Sequence, residues 1–189
     1  MKTLFLALLL LPAYCLGTET ETLIKADTSF PAQGGPGVRF ASINGTTAML
    51  LGGRGVLLLG ETTGIGVSSY TLSSEITTSL NNIKRDLSFS YFGMTIDNFF
   101  IPKKLFFLNL STMVGYGFAS DSQRVPAGTK DQTSFFLIEP EINLMLNVTK
   151  ELRVAFGLSY RLLAGSEAEA TLGANLSGFA GSFTLLYGK

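Results

Sequence analysis

Residues 152 to 162 alternate without a break between large apolar side chains and small or charged ones. The large residues are Leu152, Val154, Phe156, Leu158, Tyr160 and Leu162. The residues between them are Arg153, Ala155, Gly157, Ser159 and Arg161. A period of two is the repeat of a β-strand with two different surroundings, and this segment is about as long as a tilted strand that crosses a bilayer. The pattern favours a membrane barrel whose large residues face lipid, although a soluble sheet with an apolar core has the same period.

Seven further segments have strand character. Residues 105–119 and 136–146 alternate clearly, and Pro140 in the second is expected to mark a bulge because proline has no N–H to donate. Weaker strands are predicted at 36–43, 46–59, 63–72, 87–97 and 177–187. The sequence therefore predicts an all-β fold, an eight-stranded antiparallel up-and-down transmembrane β-barrel with a lumen filled by side chains.

The connections alternate in length, as they do in outer-membrane barrels. Short turns are predicted at 60–62, 98–104 and 147–151, and Asn44-Gly45 is a tight hairpin signal. Longer polar links are predicted at 73–86, 120–132 and 163–176. Barrels with both termini in the periplasm have short periplasmic turns and longer outward loops, so this order supports the strand count.

The chain begins like an exported protein. Met1-Lys2-Thr3 precedes an apolar run, Pro12 and small residues, which is the pattern of a signal peptide, with cleavage expected after Cys15 or Gly17. The predicted divisions are a signal peptide at 1–17, a disordered periplasmic leader at 18–33 and a single barrel domain at 34–189. Export of apolar alternating strands indicates the outer membrane of a Gram-negative bacterium.

Composition excludes several kinds of chemistry. The sequence has no histidine, which excludes Ser-His-Asp hydrolysis and most catalytic zinc sites. Its single cysteine, Cys15, lies in the predicted signal peptide, so no disulfide or cysteine-based metal site is expected. Basic and acidic residues are equal at 14 each, which gives no field for binding nucleic acid. We expect no enzyme activity, no cofactor and no metal. The alternative is a membrane enzyme that acts on lipids through a Ser/Lys pair.

Six charged residues fall on the predicted inward faces and form a candidate lumen charge cluster: Arg39, Arg54, Glu139, Glu141, Arg153 and Arg161. One interpretation is mutual pairing that fills and rigidifies a narrow lumen. The other is a polar pathway or a site for a small ligand. The first is favoured. The paired carboxylates Glu139 and Glu141 also raise glycosidase-like acid/base chemistry, but nearby arginines are expected to hold both ionised, and an ionised carboxylate is unsuited to act as a general acid.

Residues 34 to 72 contain a short first hairpin, the segment Gly52-Gly53-Arg54-Gly55 and a glycine-rich third strand that ends near Tyr70. This stretch resembles the start of small bacterial outer-membrane β-barrel proteins of poorly defined function. The resemblance implies contact with outer-membrane lipids and with the barrel-assembly machinery. The resemblance implies no catalytic residue and identifies no extracellular partner.

Three functions stay open from the sequence. The favoured one is a structural or interaction role carried by the extracellular loops. The alternatives are a narrow solute or ion channel that uses the lumen charges, and a soluble lipocalin-like lipid carrier whose apolar residues face inward.

Overall fold

The computed structural model describes residues 32–43, 45–74, 77–80, 83–122, 132–164 and 175–188. The predicted signal peptide and most of the predicted leader lie outside these residues. The described residues form nine strands. They are β1 (Ala32–Ile43), β2 (Thr46–Leu58), β3 (Thr63–Leu72), β4 (Thr77–Leu80), β5 (Ile83–Phe100), β6 (Phe106–Ser122), β7 (Gln132–Asn147), β8 (Leu152–Ala164) and β9 (Gly178–Gly188).

Eight of these strands close into a barrel. Antiparallel neighbours follow the order β3-β2-β1-β9-β8-β7-β6-β5, and β3 pairs with β5 to complete the ring. β4 pairs only with β5, over Asp86 to Ile83, and is not part of the ring. The predicted eight-stranded antiparallel barrel is therefore confirmed.

The two faces of the wall differ as the alternation predicts. Large apolar residues point outward and are exposed in all parts of the ring, as in Phe92 (53%), Met94 (64%) and Leu158 (56%). Charged side chains point inward, and Arg39, Glu139 and Arg161 are at most 3% exposed. A polar interior inside an apolar exterior is the arrangement of a barrel surrounded by lipid, and it is the reverse of a soluble lipid carrier. The described residues include no helix long and apolar enough to cross a membrane.

Strand boundaries differ from the predicted ones at several ends. β1 starts at Ala32, two residues before the predicted barrel domain, and β5 covers 83–100 where 87–97 was predicted. β7 begins at Gln132, four residues early. The predicted long link at 73–86 is partly wrong, because it contains β4 and the start of β5. Most of the added residues are polar, alanine or glycine, so they carry no sustained apolar alternation to mark them; the exceptions include Phe99, Phe100 and Phe135.

The expected bulge at Pro140 is not present. β7 pairs with β8 through Ile138↔Leu162 and again through Glu141↔Ser159, with the same register on both sides of the proline. The ladder to β6 passes through Thr112↔Pro140. The missing N–H therefore interrupts the β7–β8 ladder without inserting an extra residue.

The two ends of the barrel are distinct. We call the end with the 59–62, 101–105 and 148–151 connections the turn end, and the opposite end the loop end. At the loop end Ile43 pairs with Thr46, so β1 and β2 are joined by a short hairpin connection where one was predicted, and Gly45 in it has a φ of 76°. Hairpins of this length require φ values that glycine adopts readily. The length rule for outer-membrane barrels predicts that the turn end faces the periplasm.

Candidate functional site: the ion cluster inside the barrel

The polar centre of the lumen is built from four strands. Arg39 comes from β1, Arg54 from β2, Asp97 from β5, and Glu139 with Glu141 from β7, all at inward positions of the alternation. In each of their ion pairs, both side chains are at most 5% exposed. We call these five residues the ion cluster. Its members meet only because the ring closes, since β1 and β7 are not neighbours in the sheet.

Arg39 joins the two glutamates. One terminal nitrogen lies 2.6 Å from a Glu139 carboxylate oxygen, and the other donates to Glu141 at 2.9 Å. The first nitrogen also donates to the Tyr91 hydroxyl at 3.2 Å. The guanidinium carbon lies 4.0 Å from the centre of the Tyr70 ring, within cation–π range. A buried arginine needs this many partners, because an unpaired buried charge is strongly destabilising.

Arg54 connects Glu141 to β5 and β6. It donates to Asp97 at 2.5 Å and to the Ser111 hydroxyl at 2.9 Å. Its other terminal nitrogen lies 3.7 Å from the same Glu141 oxygen that Arg39 contacts. Glu141 is therefore shared by both arginines, and the ion cluster is one connected network.

Neutral residues donate further hydrogen bonds to the carboxylates of the ion cluster. Ser182 donates to Glu141 at 2.5 Å and Ser159 donates to Glu139 at 2.7 Å. Asn109 donates to Asp97 at 3.2 Å and accepts a hydrogen bond from Asn143 at 3.0 Å. Hydrogen bonds of this kind satisfy the buried carboxylate oxygens and fix their orientation.

Gly157 leaves space for this network. A Cβ at that position would meet the side-chain oxygens of Ser182, Asn143 and Glu141. Replacing Gly157 with alanine is expected to destabilise the barrel by about 1–3 kcal/mol, because an added methyl group must displace hydrogen-bonded polar atoms. Urea unfolding of the protein in detergent micelles measures the loss. Gly181→Ala is the matched control, because a Cβ there meets nothing within 4 Å; equal effects of the two changes would contradict the packing argument.

The structure brings together four of the six predicted lumen charges and places Arg153 and Arg161 elsewhere. Arg153 lies toward the turn end, where it donates to Asn147 at 3.0 Å and to Gln33 at 2.8 Å. Arg161 lies toward the loop end and donates from Nε to the Leu176 carbonyl at 2.8 Å. Both side chains point into the lumen, but neither forms an ion pair with the cluster among the described contacts.

Asp97 is the charged member that the sequence interpretation missed. It is 1% exposed and is the only described acidic partner of Arg54 besides Glu141. The signal was present, because Thr95 and Asp97 alternate with the apolar Met94 and Ile96. Assigning faces within 87–97 would have placed Asp97 inside.

Apolar layers cover the ion cluster on both sides. Toward the loop end lie Phe89 and Phe135, stacked at 5.4 Å between ring centres, together with Tyr70, Tyr91 and Leu176. Toward the turn end a second group packs together: Phe99, Phe107, Met145, Ala155 and Leu186. Within the described part of the chain, the carboxylates are thus covered from both openings, and no group of three metal-ligating side chains occurs. The arrangement is suited to holding strands together rather than to receiving a substrate.

Comparison with known proteins gives the fold. No family model matches the sequence, and no curated protein matches it. The Neisserial surface protein A superposes with a TM-score of 0.57 at 11% identity, over 82% of this chain and 92% of that one. The outer membrane protein OprG of Pseudomonas aeruginosa superposes with a TM-score of 0.55 at 12% identity, over 82% of this chain and 93% of that one. The attachment invasion locus protein of Yersinia pestis superposes with a TM-score of 0.51 at 14% identity, over 82% of this chain and 93% of that one.

The resemblance suggested by residues 34 to 72 is confirmed at the level of the fold. The exterior of this barrel carries the apolar belt that such proteins present to lipid. The chain therefore has the fold of the small eight-stranded bacterial outer-membrane β-barrels.

Proposed function

We propose that this protein is an integral outer-membrane barrel with a sealed lumen, and that its role is structural or interactive, carried by the loop end. The observation that supports this most is the covered ion cluster. Charges that pair with each other between two apolar layers hold the wall rigid and leave no solvent path through the described part of the lumen. A rigid wall is what a barrel needs in order to present loops in a fixed arrangement.

Strand extensions at the loop end support a display role. The β3–β5 pairing ends at Thr71↔Ser90, yet β5 continues back to Ile83 and pairs there with β4. The β5–β6 ladder also continues to Asp86↔Ser122. One side of the barrel therefore projects beyond the closed ring as a small sheet. The extracellular partner of this surface is not identified, and insertion by the barrel-assembly machinery stays a prediction.

A narrow channel is the second candidate, and one observation favours it. Polar contacts run without a break from Asn143 through Asn109, Asp97, Arg54 and Glu141 to Arg39. Such a column inside a barrel is typical of a proton or ion pathway. Against it stands the apolar layer around Phe89 and Phe135, where the column ends.

Planar-bilayer recording distinguishes the two candidates. We expect the purified full-length protein to be silent, because a lumen of this size filled by side chains leaves no water-filled path. The control removes rings from both apolar layers, with Phe89→Ala and Phe135→Ala at the loop end and Phe99→Ala and Phe107→Ala at the turn end, and is expected to produce measurable conductance. Steady conductance of the unchanged protein would overturn the sealed-lumen proposal in favour of the channel.

A further inference from the structure

The exterior of the barrel has a groove that the lumen does not explain. It has a volume of about 630 Å³ and extends over β2, β3, β5 and β6 to the edge of β7. Gly53 and Gly55 lie at its β2 end. Both occupy outward positions, and the absence of side chains there leaves the groove open. Phe92, Met94 and Tyr116 line its other part.

The register gives the groove a direction. One row of outward residues follows Gly53↔Ser69, Ser69↔Phe92, Phe92↔Tyr116 and Tyr116↔Phe136. A second row follows Gly55↔Val67, Val67↔Met94 and Met94↔Val114. The groove therefore runs across the strands, and its five strands span roughly 19 Å at the usual strand spacing.

Aromatic pairs lie on both sides of the barrel exterior. β8 and β9 carry Tyr160 and Phe179 at 4.7 Å and Phe156 and Phe183 at 5.3 Å between ring centres, and at the groove Tyr116 lies 5.0 Å from Phe136. What distinguishes the groove is the pair of outward glycines on β2, two residues apart, beside these rings. The β8 and β9 side serves as the comparison face.

We propose that this groove holds one acyl chain of a lipid in the leaflet nearer the loop end. The inference rests on the membrane insertion included in the proposed function. Strands in such barrels tilt by about 35–45°, so a row across them slants at roughly 50° from the bilayer normal. A chain that crosses half of the roughly 30 Å hydrocarbon core on that slant covers roughly 23 Å, which is close to the span of the groove.

The width of the groove also selects a single chain. The two rows are two residues apart along each strand, about 7 Å, which admits one extended hydrocarbon chain. Next to Phe92 and Phe136 the outward positions toward the loop end are Ser90 and Ser134, so the groove lies near the loop-end margin of the apolar belt. The occupant is held by packing contacts, since lipid gains no hydrophobic transfer energy from an apolar wall.

The test fills the groove and leaves the rest of the wall unchanged. Gly55→Leu is suitable, because a Cβ at Gly55 meets nothing within 4 Å. Gly181→Leu is the control, because Gly181 is equally open but lies on the β9 side. Each full-length protein is reconstituted in phosphatidylethanolamine vesicles that contain a phosphatidylethanolamine with a diazirine in one acyl chain. After irradiation, the labelled residues are mapped by mass spectrometry.

In the unchanged protein we expect labelling of Met94 and Tyr116 about threefold above that of Phe156 and Leu158, from the added packing contacts. Gly55→Leu should abolish this excess and Gly181→Leu should preserve it. Equal labelling of both faces would overturn the groove proposal and leave membrane insertion standing. No labelling on any face would overturn insertion and the groove together. Labelling of Phe156 and Leu158 without labelling of Met94 and Tyr116 would indicate that a second copy covers the groove and would overturn the lipid proposal.

Discussion

Replacing Arg39 with methionine is expected to destabilise the folded barrel by about 3–5 kcal/mol, the usual effect of removing one partner from a buried ion pair. The change leaves Glu139 and Glu141 facing each other without their shared cation. Urea unfolding in detergent micelles, followed by gel mobility, measures the difference. Adding Glu139→Gln and Glu141→Gln to Arg39→Met is expected to restore part of the stability, because neutral amides need no counter-charge.

A surface pair provides the matched control. Lys103 lies 2.8 Å from Glu61 at the turn end, and the Glu61 side chain is 54% exposed. Lys103→Met is expected to change the free energy of unfolding by less than about 1 kcal/mol, since water screens and solvates exposed charges. If Arg39→Met cost no more than Lys103→Met, pairing in the ion cluster would not be what stabilises the wall.

Replacing Leu158 with arginine is expected to destabilise the barrel by about 2–4 kcal/mol in a bilayer, the usual effect of a cation at the midplane. Leu158 lies at the centre of β8 and is 56% exposed. In a soluble protein a change at such an exposed position would fall within about 0.5 kcal/mol. Unfolding in phospholipid vesicles measures the effect.

The control makes the same change at an exposed leucine that lies at a different depth in the membrane. Leu57 is 62% exposed and is the second-last residue of β2, close to the turn end. Leu57→Arg is expected to cost about 0–1 kcal/mol, because a cation near the interface reaches the headgroups. Equal effects at Leu57 and Leu158 would mean that the exposed apolar belt does not lie in lipid.

Much of the fold could be predicted because alternation reports directly on the two faces of a strand. Phe156 and Arg161 were assigned to opposite faces from their positions alone, and the structure places them so. β4 could not be predicted in the same way. Its sequence Thr-Thr-Ser-Leu has no apolar alternation, and its pairing depends on an extension of β5 beyond the ring.

The candidate site was less predictable than the fold. The sequence indicated which charges point inward but not which of them meet, because Arg39 and Glu141 are separated by 102 residues and meet across the closed ring. The separation of Arg153 from Arg161 was available from the sequence. They are eight residues apart on one strand, or roughly 26 Å at the usual rise, which is too far for one cluster.

The most direct measurement combines heat-modifiability with membrane retention. Membranes from cells that express the full chain are washed with carbonate and extracted in detergent, and gel mobility is compared with and without boiling. A closed barrel integrated in the membrane stays in the washed fraction and shifts in mobility on boiling, since its strands unfold only when heated. A protein that washes off and migrates identically in both samples would contradict the membrane barrel and turn its apolar belt into an interface with other molecules.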